Sequence, residues 1–158
     1  MVVRMGALAG MTEIAARVRQ ALASSPPDEW PDHWVAFPRG TCADTSLVLC
    51  AFLADAGFAG FELVCGERGS QESGTYSSHA WLQRDQLVVD ITADQFVDGP
   101  GSVVVVEASE WHRGFYVSSK DVGDFREYPV EQVVKLHNLH RRLKTRIGAD
   151  VRGADFSG

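Results

Sequence analysis

From Leu47 to Ala54 the chain reads "LVLCAFLA", apolar at every position. A helix without a polar face belongs in the middle of a domain, because any exposed side would hold hydrocarbon against water. The flanks of the run predict that it is a helix. Thr41 followed by Asp44 predicts a capping box, with Thr41 as N-cap and Cys42 as the first helical residue. Gly57 predicts a left-handed cap, with Phe58 folding back over the last turn. The chain is therefore expected to be built around a buried helix over about 42–56.

The remaining segments predict what surrounds it. Ile14, Val18 and Leu22 recur at helical spacing, so residues 8–24 read as an amphipathic helix. "SSPPDEWPDHWVAFPRG" stops that helix with its prolines and reads as a long ordered loop whose tryptophans, Trp30 and Trp34, need a surface to pack on. Strand-like runs follow at 61–67, 77–83, 86–92, 102–107 and 114–119, the fourth of them, "SVVVVE", reading as a buried strand. The Gly/Ser-rich stretch at 66–77 is a loop. "PVEQVVKLHNLHRRLKTRIG" closes the chain as a helix with Pro129 in its first turn and Gly148 past its end. The expectation is an α+β fold, one domain over 1–148 with the central helix packed on an antiparallel sheet, and a frayed tail over 149–158.

Composition narrows the partners. A net charge of −6 argues against a general nucleic-acid binder, which needs a basic surface to neutralise phosphates. No apolar run reaches the ~20 residues that cross a bilayer, and Glu13, Arg17 and Arg19 interrupt anything resembling a signal-peptide core. Neither nucleic acid nor membrane is expected as a partner. Three cysteines without C-x-x-C spacing point to no disulfide framework and no structural zinc site, and a reducing cytoplasm is the simplest compartment.

Position separates these cysteines. Cys42 would sit beside the unpaired N–H groups and positive dipole end of its helix, which favour thiolate. Cys50 lies inside the apolar run and Cys65 follows Leu63 and Val64 on a strand, so both read as packing. A nucleophilic thiol needs a base, and the base needs an orienting acceptor. His79 and Asp90 lie on runs joined at "RDQ". A two-residue turn at Arg84–Asp85 sets them directly opposite; one at Asp85–Gln86 sets them diagonally on the same face. A three-residue turn would send Asp90 to the other face. Val89 and Ile91 would point away, toward a core. Asp94 shares the parity of Asp90 nearer the strand end and is the second choice of acid.

"GTCADTSLVLCAFLADAGF", "SSHAWLQ" and "VVDIT" resemble the Cys, His and Asp segments of transglutaminase-like, papain-like cysteine enzymes. The run from Cys42 through "SHAWLQRDQLVVD" is also similar to the transglutaminase-homologue leader peptidases of lasso-peptide maturation. The resemblance covers about 37–96 and implies a papain/transglutaminase-like core, with the cysteine opening a buried helix and histidine and aspartate on adjacent strands. The resulting expectation is a thiol-dependent acyl-transfer enzyme acting on a peptide, protein or small amide, as a peptidase, deamidase or transferase. Cys42, His79 and Asp90 form its triad, and no metal or organic cofactor is implied. The Cys42 N–H is the oxyanion donor best placed by sequence, and Trp34 and Thr41 are upstream oxyanion or cleft candidates. The alternative is a non-catalytic peptide- or protein-binding module that keeps the fold and uses Trp30, Trp34 and the 66–77 loop. A zinc ion on Cys42, His79 and Asp90 lacks an identified fourth ligand, and His137 with His140 lacks a carboxylate beside it. His33 and His112 have no partner in sequence.

Overall fold

In the computed structural model, which describes residues 2–155, the apolar run lies where its composition demands. Cys42–Asp55 forms α2, with Val48, Leu49, Cys50, Ala51 and Leu53 buried. Its end is the predicted left-handed cap: Gly57 has φ +94°, its N–H donates to the Ala54 carbonyl (3.0 Å), and the Phe58 N–H returns to that of Leu53 (2.8 Å). Only glycine takes that φ without cost. The start departs from the capping box. The Thr41 hydroxyl donates to the Pro38 carbonyl (2.8 Å) and caps no helical N–H. The Asp44 carboxylate, one methylene short for the reciprocal bond, accepts from His33 (2.6 Å) and the Trp34 indole N–H (3.0 Å).

Two long helices flank α2. The first, α1 (Val2–Ser24), begins earlier than its periodicity predicts and buries Met11, Ala15, Val18 and Leu22 along one stripe. Five strands, β1 (Glu62–Arg68), β2 (Ser77–Arg84), β3 (Leu87–Asp90), β4 (Val104–Glu107) and β5 (Tyr116–Val122), pair antiparallel in the order β4-β3-β2-β1-β5. A single helical turn, α3 (Glu110–Arg113), precedes β5. The last helix, α4 (Val134–Asp155), buries Leu136, Leu139 and Leu143. Pro129 opens a separate turn at Val130–Gln132 rather than α4 itself, and α4 runs through Gly148 to Asp155. Each glycine costs a helix about 1 kcal/mol without ending it, so the tail expected over 149–158 is helical through Asp155, and 156–158 lie outside the described residues.

The sheet's two faces have different jobs. Leu82, Leu87 and Val89 join α1, α2 and α4 in the main core, with Ile91 and Phe61. Val64, Trp81, Val88 and Phe115 form a smaller cluster on the other face, covered by Phe96 and Trp111. "SVVVVE" is an edge strand on which only Val104 is buried, not the buried strand its composition predicts, because nothing pairs beyond it. No described helix is long and apolar enough to cross a membrane.

The α2–α4 side of the core holds a pH-sensitive element. His137 and His140 set their rings edge-on to Phe125 (4.7 and 5.3 Å), and the Nε2 atom of each is buried without a hydrogen-bond partner. Burial, then the charges of Lys144 and Arg126, pull the His140 imidazole down to about 4. Between pH 6.5 and 4 the unfolded chain binds a proton at this position that the folded chain refuses, so its contribution is lost as pH falls through that window. Urea unfolding at pH 7 and pH 4.5 should show wild type losing roughly 1–3 kcal/mol more than His140→Leu. Equal losses would assign the acid sensitivity elsewhere.

Candidate active site

The β2–β3 hairpin turns at Asp85–Gln86, with Asp85 at φ +54° and Leu82 facing Val89. This is the diagonal of the two permitted registers. One step further along the ladder brings Asp90 level with Trp81, on the same face as His79, while Val89 and Ile91 join the core. The two side chains close the diagonal gap: His79 Nε2 lies 2.7 Å from Asp90 Oδ2. Both groups are buried, at 2% and 1% exposure.

A buried carboxylate persists only if its lone pairs are used, and those of Asp90 are. Its Oδ2 also accepts from His112 Nε2 (2.8 Å), while Oδ1 accepts the Thr92 N–H (2.9 Å) and hydroxyl (3.3 Å). Burial pushes the Asp90 carboxyl up, but the hydrogen bonds from His112 and then His79 outweigh it and hold the group well below the usual carboxylate range. His79 responds in the opposite direction. Burial pulls the imidazole down, yet its hydrogen bond to Asp90, then the neighbouring Cys42 thiol and the charge of Asp90, raise it to about 9. Cys42 is half-buried at the first turn of α2 and makes no hydrogen bond to His79.

The wall around His79 is aromatic. Phe96 (5.1 Å) and Trp111 (5.7 Å) meet the ring edge-on, and Trp81 (5.9 Å) and Phe115 (6.0 Å) complete the box. Arg68 closes it from outside, its guanidinium 4.6 Å from the centre of Phe115 and 5.1 Å from Trp111, held there by both oxygens of Asp98 at 2.8 Å. The box keeps water from the His79–Asp90 bond, which strengthens it. Gln95 links His79 to the segment leading into α2: its Nε2 donates to His79 Nδ1 (3.1 Å) and its Oε1 faces the Gly40 N–H at 3.5 Å.

Other sequence candidates are used differently. Asp94 is on the turn Ala93–Gln95 beyond β3, and both its oxygens are taken by Arg19 (2.7 and 2.8 Å), so it does not orient His79. The Trp34 indole N–H is spent on Asp44, and its ring is buried beside Trp30 and Phe37; it is not a free oxyanion donor. Thr41 is buried, with its hydroxyl turned to Pro38. Cys50 is packing, its thiol pushed up to about 12 by burial. His33 and His112 both have partners, Asp44 and Asp90. His112 escaped sequence reading because it sits on a one-turn helix far from the hairpin. The one available signal was Ser109 three residues before it, an N-cap spacing.

His79, Asp90 and His112 are the one set of three potential metal-ligand groups among the described residues, their donor atoms within 4.8 Å of one another. Each of those atoms is already in a hydrogen bond, so the cluster is complete as a proton-holding unit. No family model, curated protein or solved structure matches the chain.

Proposed function

We propose that this protein is a thiol-dependent acyl-transfer enzyme with Cys42 as nucleophile, His79 as base and Asp90 as the orienting acid. The observation that carries this reading is one buried imidazole bonded to Asp90, on a strand packed against the helix that Cys42 opens. Because His79 Nε2–H is committed to Asp90, the lone pair that accepts the Cys42 proton is on Nδ1, which the Gln95 amide must first vacate. The thiolate then attacks an amide or ester carbonyl carbon, and the electron pair moves onto oxygen near the start of α2, where backbone N–H groups are unpaired. His79 returns its proton to the leaving group as the carbon–nitrogen or carbon–oxygen bond breaks. Water or an amine resolves the thioester, with His79 again taking a proton. A helix opened by the nucleophile and packed on antiparallel strands that carry base and acid fits a papain/transglutaminase-like core. The substrate class is a peptide, protein or small amide.

Iodoacetamide at neutral pH tests this directly. Cys42 should be alkylated before half-buried Cys65 and buried Cys50, and His79→Ala should slow labelling of Cys42 by at least about tenfold. Peptide mapping by mass spectrometry reads both. Equal labelling of Cys42 and Cys65, or indifference to His79→Ala, rejects the enzyme reading. The proximity of His79, Asp90 and His112 favours a second reading, a divalent metal site. Stoichiometric zinc binding by calorimetry, lost in His112→Ala, would support it.

A further inference from the structure

The proton positions around Asp90 can be followed past the triad. Ser109 caps α3, its hydroxyl oxygen accepting the His112 backbone N–H (3.3 Å). That oxygen also lies 2.6 Å from His112 Nδ1. The Ser109 hydroxyl hydrogen is free to donate to Nδ1, and because the Asp90 carboxylate oxygen can only accept, the His112 proton resides on Nε2. It is donated to Asp90 Oδ2, the oxygen that also takes the His79 proton. His112 is 3% exposed, so no solvent supplies an alternative partner at Nε2.

We propose that Ser109 and His112 are a positioning pair for the proposed acyl-transfer site, making the triad the inner part of a chain Cys42–His79–Asp90–His112–Ser109. The inference rests on the acyl-transfer reading and deepens it. His112 neither touches the thiol nor serves as its base. It gives Asp90 a second N–H donor, which keeps the carboxylate ionised without solvent and prevents it from rotating away from His79. An ionised, immobile Asp90 holds the His79 proton on Nε2 and stabilises the imidazolium that forms when Cys42 is deprotonated. Two hydrogen bonds from the Thr92 backbone and hydroxyl lock the other carboxylate oxygen, so loss of His112 leaves Oδ2 as the only under-satisfied atom. A cavity of about 250 Å³ is lined by Ser109, His112, Trp81, Arg113 and Phe115. Removing the ring would extend this cavity toward Asp90 and admit a free imidazole.

The test is the pH profile of Cys42 alkylation by iodoacetamide in the full chain. In His112→Ala the acidic limb should move up by about one pH unit, a tenfold slower reaction at a fixed pH on that limb. The rate at high pH, where the thiol ionises unaided, should be unchanged. Added imidazole, or the amide donor of His112→Gln, should return the limb toward wild type. A loss of folding alone would lower labelling selectivity at every pH and would not be reversed by imidazole. Should His112→Ala fail to fold, Ser109→Ala keeps the ring and releases the tautomer, and its limb should shift in the same direction. Histidine ¹⁵N NMR of the wild type gives an independent readout: His112 should carry its hydrogen on Nε2. A limb unmoved in both folded variants, or His112 protonated on Nδ1, overturns the positioning pair while selective, His79-dependent labelling leaves the triad standing. Unselective labelling rejects the triad and the pair's role in it together.

Discussion

Asp90→Ala should destabilise the fold by about 3–5 kcal/mol, measured by urea unfolding at pH 7. The carboxylate accepts hydrogen bonds from His79, His112 and Thr92 inside a region almost closed to water. Alanine would leave these donors facing a small void, and a buried donor without a partner costs more than the bond contributed. Asp90→Asn should recover little. With its oxygen toward the two imidazoles, its NH₂ meets the Thr92 N–H; reversed, the NH₂ meets two ring N–H groups. The same network sets a pH signature of its own. The folded Asp90 titrates below the unfolded value near 4, so its contribution is present above that pH and lost as pH falls toward the folded value. A loss below ~1 kcal/mol in Asp90→Ala would mean that water reaches the site and satisfies the histidines.

Trp81→Ala should cost a similar ~3–5 kcal/mol and also slow Cys42 alkylation. Trp81 is 1% exposed at the centre of the outer cluster, 4.9 Å from the His112 ring and 5.7 Å from Phe115. The fit is tight: a Cβ on Gly66 would come within 3.0 Å of the indole and 2.8 Å of Phe115. Truncation opens a cavity beside both imidazoles, and water entering there would weaken the His79–Asp90 bond. Trp81→Phe retains most of the contact and should lose only roughly 1–2 kcal/mol, since the indole N–H bonds merely to Gln83. Unfolding midpoints of the two variants, with labelling rates at neutral pH, separate the packing effect from the effect on the base. An alkylation rate unchanged in Trp81→Ala would show that His79 does not depend on a dry wall.

Much of the framework was legible along the chain because its causes are local. An all-apolar run must be enclosed, which placed α2 and made Cys50 a packing residue before any contact was known. Period-two geometry put His79 and Asp90 on one face for either two-residue turn, and only the choice between them awaited Asp85 taking a left-handed φ. Gly57 ended α2 as expected because the left-handed position leaves little alternative. Errors arose where a local rule had a distant competitor. The Thr41–Asp44 spacing fits a capping box, but the Pro-rich loop brings His33 and Trp34 to Asp44 and wins it. Asp94 has the parity of Asp90, but Arg19 of α1 captures it.

What the sequence determined by itself was the scaffold of the site: a buried helix closed by Gly57 with Cys42 at its tip, and a hairpin carrying His79 and Asp90 on one face. Both follow from backbone periodicity, which the order of residues states directly. The tertiary structure alone decided who completes the site. His112, held by Ser109, reaches Asp90 from a one-turn helix, Gln95 reaches His79 Nδ1, and Arg68 seals the aromatic box. These contacts have no period and no sequence proximity. They exist because a carboxylate and an imidazole, once buried together, must find their remaining hydrogen-bond partners in whatever segments the fold brings within about 3 Å.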